Sequence, residues 1–197
     1  MTEQRQPPQS RAMDPSRAPV VPADTAPPPT DFSAIFERHF DYVWFTLRRL
    51  GVPERDLEDV THDVFVQVYK QFEQFDHARP VRPWLFGFSY RLASDYRRLA
   101  RHRFEMLGDE VETIDGSPSA AEHLMTRQKL ELVWAALAEL DLERRALFIL
   151  HEVEGCPIPE VAKVLQIPLN TAYSRLRLAR EQFAKAVQRL RSRRGEP

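Results

Sequence analysis

A chain of 197 residues with 43% apolar and 29% charged side chains can bury one large core or two small ones, and its 6 glycines argue for helices over sheets. The single cysteine, Cys156, excludes an internal disulfide, and no window reaches the roughly eighteen uninterrupted apolar residues of a membrane span. With no secretory pattern at the N-terminus, a reducing cytoplasm is the expected location.

Residues 1–30 are rich in proline (Pro7, Pro8, Pro27, Pro28 and Pro29 among them) and poor in large apolar side chains. Such a segment buries too little surface to offset its ordering entropy, so a disordered tail is expected. From Phe32 a helical period begins: Phe32, Phe36, Phe40, Val43, Trp44 and Leu47 recur at three- and four-residue steps until Gly51-Val52-Pro53 ends the helix. A second helix starts near Glu54, with the stripe Leu57, Val60, Val64, Val68 and Phe72, which leaves Asp59, Asp63 and Val66 on its other side. The acidic run Glu54, Asp56, Glu58, Asp59 and Asp63 repels phosphate, so its natural counterpart is a positively charged protein surface.

A third helix is predicted from Pro83 to about Arg103. Trp84, Leu85, Phe88, Leu92, Tyr96 and Leu99 share one face, expected to be core. The opposite face carries Phe86, Tyr90, Arg97 and Arg101. Rings set between arginines suit single-stranded DNA, because aromatic faces stack on unpaired bases while guanidiniums hold the backbone. Phe86 also admits a core reading, since small domains bury rings from several sides.

Residues 105–126 read as an acidic linker, with Gly116-Ser117-Pro118 as its clearest breaker. Apolar steps resume at Leu130, Val133, Trp134, Leu137 and Leu140, continue through Leu147, Leu150 and Val153, and stop at Gly155-Cys156-Pro157. Two helices, about 159–165 and 170–190, are then joined by Gln166-Ile167-Pro168-Leu169, the pattern of a helix-turn-helix. On the second, Ala172, Leu176, Ala179 and Phe183 fall inward, and Tyr173, Ser174, Arg177 and Arg180 fall outward. The first turns of a recognition helix enter the major groove, which makes Asn170, Tyr173, Ser174 and Arg177 candidate base readers and Arg175 and Arg180 phosphate contacts.

A net charge of −1 from 28 basic and 29 acidic residues argues against nucleic acid, but the charges are sorted along the chain. Between Arg79 and Arg103, seven arginines face one acid, Asp95; between Thr171 and Arg194, eight basic residues face Glu181. Two basic segments flanking an acidic spacer imply two DNA-contacting modules on a tether. The histidines His39, His62, His77, His102, His123 and His151 are scattered, no nucleophile and base are paired, and no metal-binding or phosphate-cradling motif is present. Neither catalysis nor a cofactor is expected.

Three segments carry a family resemblance. Asp56-Leu57-Glu58-Asp59-Val60-Thr61-His62-Asp63-Val64-Phe65 is similar to the core-binding segment of region two of bacterial RNA polymerase sigma factors. Arg82-Pro83-Trp84-Leu85-Phe86, continuing to Leu92-Ala93-Ser94-Asp95-Tyr96-Arg97-Arg98, resembles the segment that follows it. Glu160 to Leu165 and Ile167 to Leu176 resemble the region-four helix-turn-helix. With nothing like a region-three domain between them, the chain is similar to the extracytoplasmic-function (ECF) group.

The resemblance implies an all-α fold of two small helical domains: region two over 31–104 and region four over 127–191. A flexible linker joins them, and a basic tail follows over 192–197. It assigns Asp56, Glu58, Asp59, His62, Asp63 and Val66 to docking on polymerase. Trp84, Phe86, Tyr90, Arg91, Arg97, Arg98 and Arg101 would open and read the minus-ten element. Asn170, Thr171, Tyr173, Ser174, Arg175, Arg177 and Arg180 would read the minus-thirty-five element. Core RNA polymerase, promoter DNA and an anti-sigma factor are the implied partners, and the polymerase performs the chemistry. His62 stands where the family usually has Gln, Arg91 where Asn is common, and Gln166 where a turn glycine is frequent.

Overall fold

The structure, a computed structural model, describes residues 31–107 and 121–194, with side chains for 31–100 and 130–193. The expected disordered tail over 1–30 and most of the linker therefore lie outside the described residues. Helix α1 (Phe32–Leu50) opens on Asp31, whose carboxylate accepts the Ser33 N–H at 2.9 Å, a cap worth about 1 kcal/mol. It closes on Gly51 in the left-handed region, φ 93°, where the N–H groups of Gly51 and Val52 reach back to the carbonyls of Arg48 and Leu47. One tight turn (Glu54–Asp56) leads into α2 (Leu57–Lys70), and α3 (Val81–Leu107) packs against both.

The predicted stripe of α2 is the buried one: Leu57, Val60, Val64 and Val68 face Val43, Leu47 and Leu85 in the core. Each fully buried aliphatic side chain of this kind contributes about 1.5–3 kcal/mol. Tyr96 of α3 donates its hydroxyl to Asp56 at 2.6 Å, tying the far part of α3 to the entry of α2. Past that point α3 outruns the bundle. Leu99, expected in the core, is exposed together with Arg98 and Ala100, because α1 and α2 no longer cover that length of helix.

The second half contains α4 (Ala121–Ala138), α5 (Leu142–Phe148), a π turn (Ile149–Val153), α6 (Ile158–Val164) and α7 (Leu169–Arg194), with α4, α5 and α6 all packed on α7. Asp141 caps α5 by accepting the Arg144 N–H at 2.9 Å. Ala172, Leu176 and Ala179 are buried as their spacing predicts, and Phe183 lies against Phe148 at 4.6 Å between ring centroids. Helices α3 and α4 both extend beyond their expected ends, so part of the region read as linker, at 105–107 and 121–126, is helical. Among the described residues there is no strand.

The buried apolar residues of the two halves join into one connected cluster. At Gly87 α3 meets α6: a side-chain carbon there would lie 3.6 Å from Val164, in ordinary contact.

Candidate nucleic-acid interface

The α6–turn–α7 unit is a helix-turn-helix. Its turn is made by Gln166 at φ 55°, a left-handed conformation uncommon for a residue with a side chain. There the Gln166 N–H donates to Lys163 O and the Ile167 N–H to Ala162 O, which closes α6 and redirects the chain into α7. Leu169, Asn170, Tyr173, Ser174, Arg177 and Arg180 are exposed on the outer face of α7, and Thr171 is half-buried. Leu169 was not among the predicted readers; its position at the helix start was the only sequence signal for it. Ser174 donates its hydroxyl to Thr171 O at 3.0 Å.

The arginines of this face are held by the chain's own carboxylates. Arg175 pairs with Glu143 at 2.7 Å, Arg177 with Glu181 at 2.6 Å and Arg180 with Glu152 at 2.6 Å, while Arg189 pairs with Glu139. These acids come from the turn after α4, from α5, from the π turn and from α7 itself. They explain how so basic a helix coexists with a net charge of −1.

The third helix requires corrections. Phe86, expected as a stacking ring, is 0% exposed and belongs to the core. It belongs to the apolar cluster shared by both halves, and at the neighbouring Gly87 the helix meets α6. Trp84 is only half-buried, but its ring is stacked on Phe75 at 4.3 Å and edge-on to Phe88, so it is engaged within the fold. Tyr90, half-buried, lines a cavity of 430 Å³ with Ser94 and Arg97 of α3, the cap Asp141 and Leu142 to Arg144 of α5, and Arg175 of α7. Burial, and then the carboxylate of Glu143, raise the Tyr90 hydroxyl above its ordinary range, so it remains a neutral donor. Arg91 is exposed with its guanidinium over the Phe88 ring at 4.6 Å, and Arg98 is exposed and paired with Asp95 at 3.1 Å. The side chain of Arg101 lies outside the described residues.

On α2, Asp59, Asp63 and Val66 are exposed as their spacing predicts, and Glu58 and His62 are exposed with them. Asp56 differs: it is partly buried and occupied by Tyr96 and Arg55. The His62 ring nitrogen is bonded to Glu58 O at 2.9 Å, and the ring lies beside Phe36 and Phe40. Tyr69, 66% exposed and edge-on to Phe32, extends the same face; its three-residue step from Val66 was the available signal. An acidic face with exposed Val66 and Tyr69 has the composition of a protein-docking surface, charged at the rim and apolar at the contact. Among the described residues no group of three or more His, Cys, Asp or Glu is placed to hold a metal, and no helix is long and apolar enough to cross a membrane.

Comparison with known proteins bears on both halves. The model for sigma-70 region 2 matches residues 35–103, and the model for sigma-70 region 4 matches residues 130–183. RNA polymerase sigma factor NccH of Alcaligenes xylosoxydans is 28% identical over 161 residues, covering 80% of this chain and 87% of the relative. RNA polymerase sigma factor CnrH of Cupriavidus metallidurans is 29% identical over 161 residues, 78% and 84% of the two chains. The solved structure of CnrH in complex with the cytosolic domain of CnrY matches with a TM-score of 0.57 at 26% identity, over 80% of this chain and 87% of that one. Sigma factor RpoE of Bartonella quintana, solved with the anti-sigma factor NepR, matches with a TM-score of 0.65 at 19% identity, over 81% and 98%, and shows the fold alone.

Proposed function

The chain belongs to the sigma-70 family of RNA polymerase sigma factors, in its extracytoplasmic-function group, and from that premise we propose how its surfaces divide the work of promoter recognition. A sigma factor binds core RNA polymerase and directs promoter-specific initiation, here in a signal-responsive regulon. The outer face of α7 reads the minus-thirty-five duplex: Asn170, Tyr173, Ser174 and Arg177 meet base edges, and Arg175 and Arg180 meet phosphates. The exposed side of α2, from Glu58 to Tyr69, docks on a basic, partly apolar surface of the polymerase.

On α3 the opened minus-ten strand is met by Tyr90, Arg91, Arg97 and Arg98, with one stackable ring rather than three, since Phe86 is core and Trp84 is occupied. Residues 31–104 and 127–191 act as the two recognition domains. The chain performs no catalysis of its own and needs no cofactor. It acts in the cytoplasm, where polymerase and promoter are, and an anti-sigma factor is its expected regulator. The solved CnrH, in complex with the cytosolic domain of CnrY, supports a protein partner of that kind.

The observation that carries this reading is the coexistence on one chain of a helix-turn-helix with an arginine-bearing outer face and a separate acidic docking helix. Promoter-selective transcription with core polymerase on genomic fragments tests it. Discrete start sites that require the protein support it. Polymerase binding without start sites points to a docking adaptor, and duplex binding that ignores polymerase points to an ordinary repressor or activator.

A further inference from the structure

The outer face of α7 has two edges of different chemistry. At about 100° per residue, Asn170 and Ser174 fall together on one edge and Leu169 and Tyr173 on the other, with Arg177 between them. Leu169 is 43% exposed and Tyr173 54% exposed. A single exposed apolar side chain is ordinary, but these two are neighbours. Side chains four residues apart on a helix have β-carbons about 5–6 Å apart, so the pair forms one apolar strip. Ile167 and Pro168 of the turn adjoin Leu169 along a shallow apolar groove and lengthen it. The strip lies in the first two turns of α7, the part of a recognition helix that enters the major groove.

Most of what that groove presents is a poor match for such a strip. Guanine offers two acceptors there, adenine an acceptor and a donor, and cytosine an amino donor. An apolar side chain laid over any of these displaces water and returns no hydrogen bond. Thymine alone presents an apolar group, its C5 methyl. Contact with that methyl removes apolar surface from water on both sides and leaves no polar atom unpaired. The Tyr173 hydroxyl stands at the far end of its ring, so the ring edge can cover a methyl while the hydroxyl stays wet or meets a phosphate.

We propose that Leu169 and Tyr173 read thymine in the minus-thirty-five element through its C5 methyl group. The element then carries an A·T pair with the methyl turned to this edge, beside the pairs met by Asn170, Ser174 and Arg177. Because only one strand of the pair bears the methyl, the strip also fixes which strand holds the thymine. The proposal rests on the reading of α7 as the minus-thirty-five helix.

Uracil tests it, since it differs from thymine only by lacking the methyl. The upstream duplex of a promoter mapped with the holoenzyme is remade with each thymine of the element replaced singly by uracil, and binding to the full-length holoenzyme is measured by competition. At one position, or two adjacent ones, uracil should weaken binding about three- to fivefold, the scale of one methyl taken out of water. Leu169→Ala and Tyr173→Ala should bind the thymine duplex less tightly and lose most of the difference between thymine and uracil there, whereas Tyr173→Phe should keep it. Melting curves close to wild type are expected for all three, because both side chains are exposed. An element without thymine, uracil that is neutral at every position, or a uracil penalty that is undiminished in both alanine variants overturns the proposal. A holoenzyme that prefers the promoter duplex over a scrambled one yet ignores uracil overturns this inference alone. One that binds both duplexes equally overturns the minus-thirty-five reading, and this inference with it.

Discussion

Arg180 of α7 and Glu152 of the π turn meet at 2.6 Å on the face of the helix-turn-helix that is turned to solvent. With Arg180 proposed as a phosphate contact, this carboxylate competes with DNA for its guanidinium. Glu152→Gln should therefore strengthen minus-thirty-five duplex binding by a few-fold, the scale of one exposed ion pair at roughly 0.2–1 kcal/mol. One more arginine free for phosphate should also steepen the salt dependence by about 0.9 in log–log slope. Anisotropy titrations across salt measure both. Arg177→Ala should instead lose about 1–3 kcal/mol on the preferred sequence and little on a scrambled one; equal losses on both would make Arg177 a phosphate contact.

Reversing Asp59 and Asp63 to Lys should weaken binding to core polymerase at least tenfold while the thermal midpoint moves little. Both side chains are exposed, and neither supports the bundle. Surface-captured polymerase and a melting curve separate the effects. Wild-type affinity in the double variant removes this face of α2 from the docking surface.

Gln166→Gly should stabilise the protein by about 1 kcal/mol, because the left-handed backbone at φ 55° strains a residue with a side chain and not a glycine. Urea unfolding measures this, and a destabilised variant would mean that the Gln166 side chain offsets the strain.

Burial, and then the carboxylates of Glu160 and Glu154, push the Cys156 thiol up to about 11. An unfolded thiol ionises near about 8.5. The folded state thus holds the proton over the interval between, and stability from this group is fully present below about pH 8.5 and is lost as pH rises through 11. Cys156→Ala should flatten that alkaline decline. At pH 8 the native thiol should alkylate far more slowly than in denaturant, and equal rates would contradict its burial.

Much of this was legible from spacing alone. Leu57, Val60, Val64 and Val68 in α2 and Ala172, Leu176 and Ala179 in α7 are buried because a 3.6-residue period puts them on one face, a local property of the chain. Phe86 and Arg145 were not legible. Phe86 lies on what periodicity marks as the open side of α3, yet it is fully buried in the apolar cluster that both halves share. Arg145 sits in the run Glu143-Arg144-Arg145, which reads as surface, and it is buried because the Leu50 carbonyl meets it from 95 positions away. Periodicity describes one helix at a time. The fate of its second face depends on which helices close over it.

The π turn at Ile149–Val153 fits one more residue into its turn than an α-helix would hold, and this sets where its acids point. Glu152 is aimed at α7 and Glu154, two residues on, at α1. Removing a single residue there would restore regular winding and rotate everything after it by about 100° relative to what precedes it. Side-chain substitutions at this point should thus be better tolerated than a one-residue deletion, which would disconnect both carboxylates at once and leave every amino acid type in the region unchanged.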